Sequence, residues 1–172
     1  NGPAQVTRLV LDENGNLVEQ VVGDGGAGKI SITTTGNPGD SVSLAGGSTI
    51  ASVTTAGGNA GQVILSTPTL NVDNATITTD TSSSGNAGSI FAKVGTLTLT
   101  NGAEISSNST GEATGAAGSI LIQGLASLAN AVTVTDSSIL TSAANTGQGG
   151  SIAVDATSLT LNSATVSASV HN

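Results

Sequence analysis

The chain has 172 residues but a mass of only 16.3 kDa, because it is built from small side chains: 24 Gly, one Phe, and no Tyr, Trp, Cys or Met. Three cations stand against eleven carboxylates, giving a net charge of -8, and 8% of residues are charged where an ordinary domain has about a quarter. So few cations exclude a phosphate-binding stripe and hence nucleic-acid partners, while zero Cys and one His exclude zinc sites, disulfides, thiol nucleophiles and His-based triads.

Residues 1–27 form a region of their own. The sequence predicts two strands, over 5–11 and 17–22, around Asp12-Glu13-Asn14-Gly15-Asn16. Asn-Gly between apolar runs is a strong hairpin signal, since both residues accept positive φ. An isolated hairpin is marginal in water, so the apolar positions Val6, Leu9, Leu11, Leu17 and Val21 must meet a partner surface. Two partners are open: the first coil of the same chain, as a cap, or a neighbouring molecule, by strand exchange. Asp12, Asn14 and Asn16 echo a calcium loop, but the Gly is misplaced and the terminal bidentate Glu is missing, so they read as turn chemistry. The run from Gly23 to Lys29 matches GxxxxGK. Ile30 follows where a magnesium-holding Ser or Thr belongs, and no helix follows, so no nucleotide cofactor is expected.

From Gly28 to the end, at 28–172, the chain repeats. Ala27-Gly28, Ala60-Gly61, Ala87-Gly88, Ala117-Gly118 and Gly149-Gly150 are each followed two residues later by an aliphatic, at spacings between 27 and 33 residues. Each unit opens with an alternating pair (Ile30/Ile32, Val63/Leu65, Ile90/Ala92, Ile120/Ile122, Ile152/Val154). A second pair follows (Val42/Leu44, Leu70/Val72, Leu97/Leu99, Val132/Val134, Leu159/Leu161), then a single apolar position at Ile50, Ile77, Ile105, Ile139 and Val166. The local period is two, the intervening residues are Ser, Thr and Asn, and Gly or Asn marks the corners. Length variation falls at defined corners, mainly as five-residue insertions, while the apolar register holds, as insertions on a fixed scaffold do. Five such units predict an all-β fold, a right-handed parallel β-helix of about five coils with inward aliphatics and an N-terminal hairpin.

The residue between each first pair points outward, so Ile64, Phe91 and Leu121 fall in one column on three successive coils. A contiguous apolar patch marks a contact, and these three are expected to lie under the hairpin, a corner loop or another protomer. Thr96/Thr98/Thr100 and Thr133/Thr135 suggest the flat threonine arrays of ice-binding solenoids. Ser43/Ala45 and Asn71/Asp73 interrupt that lattice, and Thr on exposed strands follows from β-propensity alone. β-Helices also host polysaccharide lyases and hydrolases, but here Asp40, Asp73, Glu104, Asp136 and Asp155 are spread one per coil, with no Trp or Tyr to stack a sugar. No enzyme, cofactor or metal site is expected.

The last coil ends in Val166, Val170 and His171 with no amphipathic helix or charged cover, and its open strand edges invite addition. Gly58-Asn59-Ala60-Gly61-Gln62-Val63, Gly85-Asn86-Ala87-Gly88-Ser89-Ile90 and the run 97–107 resemble repeats of filamentous-haemagglutinin-like exoproteins of two-partner secretion. The resemblance spans about residues 25–172 and implies an exported, extracellular or cell-surface stalk or adhesin. The resulting expectation is a structural or adhesive rod, either polymerising head to tail or forming part of a long stalk that meets a host or neighbouring cell. Ice binding, and a monomeric adhesin fragment with a glycan or protein receptor, are the alternatives. No apolar run reaches the roughly 20 residues a membrane helix needs, so no membrane insertion is expected.

Overall fold

The computed structural model describes residues 10–11, 17–18, 26–55 and 57–171. Strands β1 (Val10–Leu11) and β2 (Leu17–Val18) pair antiparallel, Val10 opposite Val18 and Leu11 opposite Leu17. The rest of the expected hairpin, including Val6, Leu9, Val21 and the Asp12/Asn14/Asn16 loop, lies outside the described residues.

Five coils follow, all paired in parallel. The first holds β3 (Ile30–Thr33), β4 (Ser41–Ala45) and β5 (Thr49–Ala51); the second holds β6 (Gln62–Asp73) and β7 (Thr76–Thr78). β8 (Ser89–Thr100) and β9 (Glu104–Ser106) make the third, and β10 (Ser119–Gln123), β11 (Ala131–Thr135) and β12 (Ser138–Ala144) the fourth. The last coil holds β13 (Ser151–Val154), β14 (Leu159–Asn162) and β15 (Thr165–His171). The chain is thus a parallel β-solenoid of about five turns, without helices among the described residues. In the second and third coils the two expected strands are one 12-residue strand. There the backbone stays extended through the bend and Thr67 and Val94 turn inward with no exposed surface, whereas the last coil, equally short between Val154 and Leu159, divides into β13 and β14.

The register matches the repeat position for position. Ile30 lies beside Val63, Val63 beside Ile90, Ile90 beside Ile120 and Ile120 beside Ile152; the third-strand column runs Ile50, Ile77, Ile105, Ile139, Val166. In the three middle coils these aliphatics are fully buried. The core is a narrow column in which each layer is covered by the one before and the one after, and rings larger than Leu would not fit every layer.

Two corners explain the punctuation. Between the second and third strands, one residue per coil adopts the left-handed conformation at the same register: Gly46 (φ 65), Asn74 (φ 47), Asn101 (φ 56), Asp136 (φ 48) and Ser163 (φ 48). That conformation is open to Gly and tolerated by Asn and Asp, whose short polar side chains bond locally. At the corner opening each coil the anchor glycines stack, and a Cβ on Gly118 would strike the Gly88 carbonyl oxygen and Ser107 Oγ. From the second coil on, only Gly fits at this corner.

The coil closes through hydroxyls the repeat pattern did not mark. Beyond the third-strand aliphatic, Ser52, Thr79, Ser107 and Thr141 form an inward column, all nearly inaccessible. Ser52 Oγ donates to Gly28 O at 2.6 Å, Ser107 Oγ to Gly88 O at 2.8 Å, and Thr79 Oγ1 to Ser107 Oγ at 2.9 Å. The backbone returns the contact, Gly88 N to Thr79 O and Gly118 N to Ser107 O. A buried hydroxyl costs free energy unless bonded; the carbonyl of an anchor glycine accepts from Ser52 and Ser107, Thr79 bonds Ser107, and Thr141 Oγ1 finds no partner among the described residues.

Candidate assembly surfaces

The last coil presents its core to solvent. Leu161 and Val166 are 48% and 39% exposed, although their register partners Val134 and Ile139 are completely buried. Leu159 and Val170 are equally open, and Ile152 and Val154 are half-buried. The hydroxyl columns change at this end. Ala168 follows Thr141, and Ala143 and Val170 continue the column of Thr54, Thr81 and Ser109. The last described coil thus carries Ala168 and Val170 where earlier coils carry inward hydroxyls. Of the expected contact residues, Val166 and Val170 lie here. Leu159 and Leu161 belong to the same face and were identified only as core, since periodicity does not reveal which layer lacks a cover.

At the other end the first coil is partly covered, with Ile32 and Val42 half-buried. Ile30, Leu44 and Ile50 are 3–7% exposed, although only one coil packs against them. β2 lies beside β5 on that side, which places the backbone of Leu17 near the first coil; Leu11 pairs with it across the β1–β2 ladder.

The lateral column is present as expected. Ser31, Ile64, Phe91, Leu121 and Ala153 stack in register, and the three large side chains are half-buried. Leu125 and Leu128 project separately from the inserted corner of the fourth coil, where Gly124 N bonds to Ser127 O; no repeat logic singled them out. Thr98, Thr133 and Thr160 share one column, which Ser43 and Asn71 complete without Thr.

Ionisable groups hold corners. Asp40 Oδ2 accepts from Thr35 Oγ1 at 2.6 Å, Gly36 N at 2.9 Å and Asn37 N at 3.1 Å, and the Thr35 hydroxyl foremost holds its carboxyl below the usual carboxylate range. Asp80 is half-buried; desolvation raises its pKa even though its Oδ1 accepts from Asn108 N at 2.6 Å. Lys29 precedes a strand, not a helix. No cluster of three metal-ligating side chains occurs among the described residues. Beside the last coil, a groove of about 390 Å³ is lined by Asn108, Thr110, Ser142, Ser167, Ser169 and His171 among others.

No protein-family model matches the chain, and no curated protein or solved structure matches it.

Proposed function

We propose that the chain is a structural and adhesive element of an extracellular fibre: a rigid solenoid that extends end to end, as a head-to-tail homopolymer or as a length of a longer surface stalk. A rigid β-solenoid is compatible with such a role. The reading rests on one observation: among the described residues, the last coil carries a row of core-facing aliphatics, Leu159, Leu161, Val166 and Val170, that stay 39–48% exposed. Contiguous exposed apolar surface of this kind marks a contact. A heterologous contact between unlike ends that does not close gives a filament. The resemblance of the Gly-Asn-Ala-Gly corners to filamentous-haemagglutinin-like repeats supports export and a surface location.

Electron microscopy of the concentrated, purified chain tests the reading. Unbranched filaments with an axial repeat of five rungs, about 24 Å at ~4.8 Å per rung, are expected. Separate rods at every concentration would overturn the end-to-end contact.

A further inference from the structure

At the corner after β8, Asn101 is followed by Gly102, and both are exposed. Among the described residues no other Asn precedes a Gly. A glycine has no Cβ to obstruct its amide nitrogen on the way to the preceding carboxamide carbon, so Asn-Gly closes to a succinimide more readily than Asn before a larger residue. The fold holds the two reacting groups apart. Asn101 Nδ2 donates to Asp73 Oδ1 at 2.5 Å in the coil before, while Gly102 N donates to Asp136 O at 2.7 Å in the coil after. Carboxamide and nitrogen are engaged in opposite directions along the solenoid axis, with Asn101 in the left-handed region at φ 56.

We propose that Asn101 is a deamidation site that the folded corner holds shut, and that opening of this corner lets it react and then prevents the corner from reforming. With both bonds released, the Gly102 nitrogen gives up its proton to solvent and attacks the Asn101 carboxamide carbon. The new C–N bond closes the succinimide, and the side-chain nitrogen leaves as ammonia. Water then opens the ring at either carbonyl, giving isoaspartate or aspartate. Water is the sole co-reactant, and the proposal does not depend on how the rod assembles.

The products do not fit the corner they came from. A carboxylate at position 101 can only accept where Nδ2 donated, so it faces the Asp73 carboxylate with no donor between them, and like charges so close repel. The left-handed backbone is not the obstacle, because Asp136 adopts it in the next coil at φ 48. What differs is the coil before: the register partner of Asp73 there is Thr100, a hydroxyl. Isoaspartate adds one atom to the main chain, which puts the Gly102 nitrogen out of step with Asp136 O. Asn74 and Asn145 hold similar conformations, at φ 47 and 50, but precede Ala75 and Thr146, and so serve as internal comparisons.

The test holds the full chain at one mildly alkaline pH and one temperature, folded in buffer or unfolded in urea. Isoaspartate and aspartate at each Asn are followed by peptide mass spectrometry. Position 101 is expected to react at least about tenfold faster in urea than when folded, as a step gated by local opening does. In urea it should also outpace Asn74 and Asn145. Asp73→Ala removes one restraint and should raise the folded rate while leaving the urea rate unchanged. Asn101→Asp should melt below the parent, and adding Asp73→Asn should recover the loss by supplying a donor to the carboxylate. Equal rates folded and in urea would overturn the restraint, and a folded rate unmoved by Asp73→Ala would remove Asp73 from it. A urea rate no higher than that of Asn74 would overturn the lability. An Asn101→Asp chain that melts with the parent would overturn the block to reclosure.

Discussion

Single residues in this fold are constrained by layers far away in sequence. Gly28 and Gly118 are copies of one motif position, yet a Cβ on Gly28 meets nothing within 4 Å while one on Gly118 runs into the Gly88 carbonyl and Ser107 Oγ. Backbone cannot yield as a side-chain tip does, so Gly118→Ala should cost about 3 kcal/mol in a urea melt and Gly28→Ala under ~0.5 kcal/mol. Equal losses would show that the motif acts through local conformation and not through close approach between layers. Asp80 sets a pH dependence of its own. Burial raises its folded-state pKa above 3.8, so the folded chain holds the proton more tightly than the unfolded one. Its favourable contribution is complete below pH 3.8 and is lost as pH rises through the folded value. Asp80→Asn keeps an oxygen to accept from Asn108 N. It should melt higher than the parent at neutral pH, and the two melting curves should converge as pH falls below 3.8.

At the scale of elements, the second-to-third strand corner shows the same position solved five times with different residues. Asn101 holds a φ of 56, and its Nδ2 donates to Asp73 Oδ1 at 2.5 Å in the coil before. Asn101→Ala keeps the awkward backbone and drops the bond, for an expected loss of about 1–2 kcal/mol, while Asn101→Gly should recover most of it. Thermal melts of the two variants side by side decide whether conformation or the side-chain bond dominates. Such corners, and the aliphatic pairs between them, were legible because each is a local pattern: period two, then a residue that accepts positive φ. The hydroxyl columns were not. Ser52, Thr79 and Ser107 sit two residues beyond an aliphatic, on its inward face by the strand period, but as polar residues they interrupt the apolar pattern by which that face was recognised. What satisfies them there lies some twenty or more residues away, the carbonyl of an anchor glycine for Ser52 and Ser107 and the Ser107 hydroxyl for Thr79, which a window of one strand does not contain. The merging of two strands into β6 and β8 was hidden for a related reason, since the inward turn of Val94 is set by the bend itself.

At the scale of the molecule, stability is distributed layer by layer. Each coil contacts only its neighbours, so the chain behaves as a one-dimensional array whose terminal layers have one stabilising interface instead of two. Coils two to four are sandwiched, and the first is covered beside β2; the last has neither, with Leu161 half-exposed and Val166 nearly so. The exposed apolar row was only half legible in sequence: Val166 and Val170 stood out in the last coil, whereas Leu159 and Leu161 repeat a core pair and read as core. Opening should therefore begin at β13–β15 and propagate inward, with amide exchange fastest there and slowest in β8. Exchange measured by mass spectrometry on the dispersed chain and on its filaments separates two effects. If the last coil is completed by another copy, protection of β13–β15 rises on assembly towards that of β8, while β8 itself hardly changes. If assembly is lateral, through Ile64, Phe91 and Leu121, exchange at β13–β15 stays fast, because a flank contact adds no rung to the open ladder.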